Sequence, residues 1–125
     1  MSLEASQRVL GLDVGDVRTG VAVSDELGWT ARPLVTVPTA DLLKNLPELI
    51  KKYALERVVV GRPRHLSGGL GAQAEKVDEI VDWLKAELPV EFVYEDESGT
   101  TAAAPGGTDE EAASVMLQGY LDEKA

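Results

Sequence analysis

The order of apolar and helical segments predicts a mixed α/β fold, with a five-stranded sheet and helices on both faces. Three apolar, β-branched segments come first, and helical and apolar segments then alternate to the end of the chain. Closely spaced opening strands are typical of an antiparallel meander, whereas a helix between two strands makes a parallel crossover. We therefore expect an antiparallel meander plus two parallel strands, with the first strand in the centre and the fourth beside it.

The opening strand pair contains one acid in an apolar setting. Val9 to Val14 is almost entirely apolar, as is typical of a central strand covered on both faces, and Val21 to Ser24 suits the second arm of a hairpin. Asp13 lies at the end of the first strand. A carboxylate there is costly unless it is compensated, so Asp13 is either a turn-forming acid or part of a site for a cation or a phosphate group.

The middle of the chain alternates between helices and strands. The predicted segments are, in order, a strand at 29–38, a helix at 41–53, a strand at 57–61, a helix at 72–88 and a last strand at 90–94. Prolines at both ends of the first of these segments indicate an edge strand. Pro47 lies inside the first predicted helix, which it should kink or delay. The β-branched run after that helix is typical of a buried parallel strand.

The last part of the chain combines a loop with a helix start. Residues 98–107 are small and polar, so we expect a mobile loop there. Thr108 and Glu111 have the spacing of a capping box, which predicts a helix whose first residue is Asp109. Its apolar positions predict a buried face. They are Ala112, Ala113, Met116, Leu117, Tyr120 and Leu121. The tryptophans, Trp29 and Trp83, are expected in the core or at a dimer contact.

Size and composition favour one globular domain over residues 1–125. The chain has no cysteine, which excludes disulfide frameworks and thiolate metal sites and suits a reducing compartment. Residues 1–7 do not resemble a signal peptide, and no apolar run is long enough to cross a bilayer. We therefore expect a cytoplasmic protein.

A net charge of −10 argues against binding nucleic acid by bulk electrostatics. A nucleic-acid role needs a local basic patch. The densest candidate is the run Arg62 to His65, which Arg18 and Arg32 could join, although such a short run is also common in a solvated loop. His65 is more typical of a surface residue than of a general base. The glycine-rich run 67–71 resembles a phosphate cradle but lacks the lysine of a Walker motif.

Acids from three distant segments are predicted to converge. In an open α/β sheet, ligands gather at the carboxyl ends of the strands, where Asp13 and the pair Asp96 and Glu97 emerge. Asp109 follows at a helix start. Such carboxylates repel one another unless cations neutralise them, and oxygen ligands select Mg²⁺ or Mn²⁺. Two ions about 3.5–4 Å apart would support hydrolysis of a phosphodiester. Asp109 is equally explained as a favourable acid at a helix N-terminus.

Four motifs together carry a family resemblance. They are Gly-Leu-Asp13-Val-Gly15 with Arg18-Thr-Gly20-Val-Ala, Val-Val-Gly61-Arg-Pro63, Asp96-Glu97 with Thr100-Thr101, and Asp109 with Ala112-Ala113 and Leu117-Gln118-Gly-Tyr120-Leu121. In order and spacing they resemble the YqgF family of Holliday-junction resolvases and pre-16S rRNA nucleases, over nearly the whole chain. The resemblance implies an RNase H-like fold, a metal-dependent endonuclease acting on structured RNA or four-way junction DNA, and a homodimer.

The resemblance also implies roles for individual residues. Carried over by position, the metal-binding and catalytic acids are Asp13, Asp96, Glu97 and Asp109. The nucleic-acid-binding residues would be Arg18, Arg62, Arg64, Thr100 and Thr101. The chain departs from the family pattern in two places. Ser98 and Gly99 replace an arginine and a hydrophobic residue, and Thr108 replaces a basic residue, so substrate affinity or loop order would be reduced.

Two other functions stay open from the sequence. A nucleic-acid-binding protein with the same fold and weakened catalysis fits the altered positions and the negative charge. A small relative of the actin and sugar-kinase proteins fits a phosphate-binding hairpin at residues 13–20, but 125 residues leave no room for the second lobe of those ATPases.

Overall fold

The computed structural model describes residues 8–62, 69–96 and 107–124, with the backbone alone for 69–73 and 96. The strands are β1 (Leu10–Val14), β2 (Arg18–Ser24), β3 (Ala31–Pro38), β4 (Arg57–Arg62) and β5 (Glu91–Asp96). The helices are α1 (Leu42–Tyr53), α2 (Gly69–Glu87) and α3 (Asp109–Lys124). A 3-10 turn at Thr39–Asp41 leads into α1. None of the described helices is long and apolar enough to cross a membrane.

The five strands form one mixed sheet in the order β3-β2-β1-β4-β5. β1 pairs with β2 and β2 with β3 in antiparallel fashion, while β4 joins β1 and β5 joins β4 in parallel. The predicted meander with two parallel strands is therefore confirmed, as is the central position of β1. β3 is an edge strand. Its pairing with β2 is irregular beside Pro33, as expected for a residue that cannot donate to the ladder.

Each face of the sheet has its own apolar core. On one face, β1 residues such as Leu10 and Leu12 pack with α1 and α2, whose buried positions include Leu46 and Val81. On the other face, α3 packs alone, and its buried residues are Ala113, Met116, Leu117, Tyr120 and Leu121. Because side chains alternate along a strand, neighbouring strand residues serve different cores. α3 therefore covers one face by itself and determines which residues lie at the edge of that face.

Three local expectations differ from the structure. α2 begins at Gly69, three residues before the predicted start, because glycine's low helix propensity hides a helix start in the sequence. α1 starts at Leu42 and continues through Pro47, so the proline does not delay it. Trp29 and Trp83 are 62% and 44% exposed, so the prediction of a core position is wrong for both. A dimer contact at these residues stays a prediction.

Candidate functional site

The start of α3 is fixed by the predicted capping box. The Thr108 amide donates to Glu111 Oε1 at 2.9 Å, and the Glu111 amide donates to Thr108 Oγ1 at 3.2 Å. This reciprocal pair satisfies two amides that would otherwise lack partners at the helix start. Asp109 is therefore the first residue of α3, as predicted.

Asp109 is held against the strand pair that carries Asp13. In the β1–β2 ladder, Asp13 lies opposite Gly20. A β-carbon added at Gly20 would lie only 1.9 Å from the carbonyl oxygen of Asp109, so only glycine permits this approach. Asp13 is itself half-buried. The fold thus brings the two predicted acids, 96 residues apart in the chain, to adjoining positions on the α3 side of the sheet.

A cation already contacts one of these acids. Arg18 Nε donates to Asp109 Oδ2 at 2.8 Å, joining the first residue of β2 to the first residue of α3. Both side chains reach solvent, with exposed fractions of 68% for Arg18 and 37% for Asp109. The hydrogen bond and charge of Asp109 raise the pKa of Arg18 above its ordinary value. Arg18, which the sequence predicts to contact nucleic acid, therefore lies against the predicted acid Asp109.

Two buried hydroxyl groups, those of Thr19 and Thr39, hold the turn that precedes Arg18. Thr39 Oγ1 donates to the Gly15 carbonyl at 2.7 Å, so Thr19 Oγ1 donates to Thr39 Oγ1 at 2.8 Å. The Gly15 amide closes the turn by donating to the Arg18 carbonyl at 2.9 Å. These bonds hold the backbone of the β1–β2 turn, so the position of Arg18 is set by the sheet.

A second acid at the start of α3 is anchored to the neighbouring strand. Glu110 accepts a hydrogen bond from the Thr36 hydroxyl on β3, and this bond lowers the pKa of Glu110. In the ladders, Thr36 lies opposite Gly20, and Gly20 opposite Asp13. The hydrogen bond between Glu110 and Thr36 therefore holds the start of α3 beside Gly20 and Asp13. This contact does not follow from the sequence, because the pairing of β2 with β3 cannot be read from local spacing.

The opposite face of the sheet holds Arg62. Its Nε and Nη2 atoms donate to the two carboxylate oxygens of Asp78 on α2, each at 3.0 Å. The guanidinium also lies over the ring of Tyr94, 5.6 Å from its centre. Burial and the hydrogen bond to Asp78 raise the pKa of Tyr94 to about 12. Arg62, a predicted nucleic-acid contact, thus has a partner within the protein.

The end of β5 contributes one acid that the sequence analysis left without a role. Val93 packs against the α3 core, and Glu95 follows it by two residues on the same side of the strand. A β-carbon added at Gly119 of α3 would lie 3.9 Å from Glu95 Oε2. Glu95 pairs in register with Gly61, and Asp96 with Arg62. Strand alternation could have identified Glu95 as the acid on the α3 side.

The remaining predicted site residues lie outside the described part. They are Glu97, Arg64, Thr100 and Thr101, together with the expected loop at 98–107 apart from Gly107 and the side chain of Asp96. Within 8–62, 69–96 and 107–124, no three acid or histidine side chains form a group that could hold a metal ion. The metal-binding roles of Asp13 and Asp109 therefore stay predictions.

A shallow cavity of about 310 Å³ lies away from these acids, between β5 and the C-terminal half of α3. Its walls include Arg57, which donates to Glu91 Oε1 at 2.8 Å and to the Tyr120 hydroxyl at 2.9 Å. Arg57 is thus bonded both to β5 and to α3. This arrangement ties α3 to β4 and β5.

Comparison with protein families identifies the chain. A family model described as RuvX, Holliday junction resolvase, matches residues 7–123. The chain belongs to the RuvX family. A relative from Clostridium tetani is 41% identical, over 92% of this chain and 96% of its own, and one from Moorella thermoacetica is 42% identical, over 92% and 94%. Both are named as candidate pre-16S rRNA nucleases. RuvX membership confirms the expected resemblance and the prediction of an endonuclease.

Solved structures support the fold of this RuvX protein. RuvC from Thermus thermophilus, solved with a Holliday junction, matches with a TM-score of 0.60 at 14% identity and 94% coverage of both chains. The fowlpox virus resolvase, also solved with junction DNA, matches with a TM-score of 0.51 at 8% identity, over 94% of this chain and 99% of its own. At these identities the likeness concerns the fold alone, and it confirms the RNase H-like class.

Proposed function

We propose that this RuvX protein is a divalent-metal-dependent endonuclease that hydrolyses phosphodiester bonds in structured nucleic acid. The observation that carries the proposal is the approach of Asp109 to Gly20, which places it beside Asp13. An acid whose only role was to interact with the helix dipole would not need to lie beside another acid. Arg18 on Asp109 indicates that this position attracts a cation, and carboxylate oxygens are the ligands that Mg²⁺ and Mn²⁺ prefer.

We propose that Asp13, Asp109 and an acid of the pair Asp96 and Glu97 hold the metal, as two ions. Asp96 is the last residue of β5, which runs parallel to β1 by way of β4, so this acid emerges at the same edge of the sheet as Asp13. Bound Mg²⁺ or Mn²⁺ would supply an activated water and charge stabilisation at the leaving oxygen. The protein's own contribution is to hold the carboxylates on the rigid ends of β1 and α3.

For the substrate, we propose contacts to the sugar-phosphate backbone through Arg18, Arg64, Thr100 and Thr101. Phosphate contacts position a nucleic acid without reading its sequence, which fits a shape-dependent nuclease. Arg62 would join them by exchanging Asp78 for a phosphate. The relatives' names favour precursor 16S rRNA as the substrate, and the family description favours a Holliday junction. We further propose a single domain in a cytoplasmic homodimer, because cutting two strands of a junction needs two sites.

The test compares wild type with Asp13→Asn on labelled precursor 16S rRNA and on a labelled four-way DNA junction, with Mg²⁺, Mn²⁺ or EDTA. Wild type should cut at least one substrate only when the metal is present. Asp13→Asn should cut at least about 100-fold more slowly, since it removes a charge that stabilises the reaction. The control is Asp16→Asn, an exposed acid three residues later in the turn, which should retain activity.

Two results would contradict the proposal. Metal-dependent cleavage that persists in Asp13→Asn would remove Asp13 as a ligand. Binding of both substrates without cleavage by wild type would favour a non-catalytic binding protein, a result that the replacement of the family arginine by Ser98 would then explain.

A further inference from the structure

We propose that Arg18 is a positioning residue that occupies Asp109 in the metal-free protein and is displaced when a divalent ion binds. The inference rests on the proposed function, because it takes Asp109 to be a metal ligand. It adds that the same guanidinium alternates between this carboxylate and the substrate. Arg18 would thus couple loading of the metal to readiness for nucleic acid.

The contact geometry supports an exchange. Arg18 Nε is 2.8 Å from Asp109 Oδ2, so the guanidinium takes up a carboxylate oxygen that a metal would need. An arginine cannot give up its charge at physiological pH, and here its pKa is raised further by Asp109. Arg18 and a divalent cation therefore compete for one oxygen. An ion that coordinates Oδ2 therefore displaces the guanidinium.

The pair is also weak enough to be exchanged. The Arg18 side chain is 68% exposed, and ion pairs that reach solvent contribute little to stability. A divalent ion on several carboxylates replaces such a pair easily. The backbone beneath Arg18 is in contrast fixed by the Thr39 and Gly15 hydrogen bonds. The side chain can thus leave Asp109 without disturbing the acids, and it stays within reach of the same edge of the sheet.

The described structure offers a matched internal reference in Arg62. Like Arg18, Arg62 lies at the end of a strand, and its Nε donates to an aspartate oxygen, Asp78 Oδ1, at 3.0 Å. That pair lies on the α2 side and is partly shielded, with 28% of the Arg62 side chain exposed. A divalent ion at Asp13 and Asp109 should leave it unchanged. The two Nε–H groups therefore report on opposite faces of one molecule.

The first experiment is a titration of the full chain with Mg²⁺ alone, followed by NMR of the arginine Nε–H groups. The Arg18 signal should shift, and its exchange with water should accelerate, as the hydrogen bond to Asp109 is lost. The Arg62 signal should shift less than that of Arg18, because its hydrogen bonds to Asp78 are kept. An unmoved Arg18 signal, in a sample where the amides of Asp13 and Asp109 shift with Mg²⁺, would overturn the exchange and leave the proposed metal site standing.

The second experiment measures Mn²⁺ affinity by calorimetry in three variants. Arg18→Gln should bind Mn²⁺ about 2- to 5-fold more tightly than wild type, because the competing cation is removed. Arg32→Gln also removes one positive charge. Arg32 is exposed near the start of β3, whereas Arg18 pairs with Pro38 at the end of that strand. The Mn²⁺ affinity should therefore stay unchanged, since distant surface charges are screened.

Asp109→Asn should weaken Mn²⁺ binding. An equal gain in Arg18→Gln and Arg32→Gln would show a bulk charge effect and overturn the exchange. Equal affinity of wild type and Asp109→Asn would overturn both the exchange and the assignment of Asp109 as a ligand.

Discussion

At the scale of single residues, Gly20 determines how closely α3 approaches the strands. Its missing side chain leaves room for the Asp109 carbonyl, which a β-carbon would meet at 1.9 Å. The obstructing atoms belong to backbone at a capped helix start, so they cannot rotate away. Any larger residue at this position must therefore push the start of α3, and Asp109 with it, away from Asp13.

Gly20→Ala should reduce stability and cleavage together. Overpacking at a site that cannot yield costs about 1–3 kcal/mol, which urea unfolding would measure. The matched control is Gly119→Ala on α3, where the added β-carbon has only Glu95 Oε2 at 3.9 Å. That change should be neutral or stabilise by up to about 1 kcal/mol, because alanine favours a helix. A Gly20→Ala protein as stable and active as wild type would contradict the close approach.

At the scale of secondary-structure elements, Arg62 and Asp78 join the end of β4 to α2. The hydrogen bonds from Arg62, and a weaker one from Tyr94, hold the pKa of Asp78 below its ordinary value although partial burial opposes this. A carboxyl whose pKa is lower in the folded state contributes stability at pH values above its unfolded pKa. That contribution is lost as the pH falls through the folded pKa.

The stability of Asp78→Asn should therefore depend less on pH than that of wild type. Unfolded aspartate has a pKa of about 3.9, so the difference should develop below about pH 4. Urea unfolding at several pH values measures it. Asp82→Asn, one turn further along α2, is the control and should keep the pH dependence of wild type. Parallel curves for wild type and Asp78→Asn would show that the ion pair does not stabilise the fold.

The element order and the helix start were predictable because both depend on local patterns. Apolar runs and helical spacing determine the strands and helices, and the Thr108 and Glu111 capping box acts within one turn. The strand-end position of Asp13 was predictable for the same reason. These signals extend over a few residues, which a single sequence displays directly.

The contacts that join distant segments were not predictable in this way. The seat of Asp109 on Gly20, the Arg18 and Arg62 ion pairs and the exposure of Trp29 depend on how elements pack. Arg62 illustrates the limit, because the sequence places a basic residue beside a glycine-rich loop but does not show that α2 brings Asp78 next to it. Such pairings need the three-dimensional arrangement.

At the scale of the whole molecule, the two faces of the sheet have different tasks. α1 and α2 cover one face with the larger apolar core, where Arg62 is bonded to Asp78. α3 covers the other face alone and carries Asp109 to the edge at which Asp13 emerges. A chain with a net charge of −10 repels nucleic acid unless cations intervene. Divalent ions at this edge would therefore serve both the chemistry and the approach of the substrate.

The most direct test of this site compares the two neighbouring acids at the start of α3. Asp109→Asn and Glu110→Gln each remove one negative charge from the same helix N-terminus, and both keep an oxygen that accepts hydrogen bonds. The measurement is the single-turnover cleavage rate in Mn²⁺, on whichever substrate wild type cuts. Asp109→Asn should be slower by at least about 100-fold. Glu110→Gln should stay within about twofold of wild type, because the amide oxygen of glutamine still accepts the hydrogen bond from Thr36. Equal rates for the two variants would show that Asp109 serves the helix alone, and would contradict the proposed metal site.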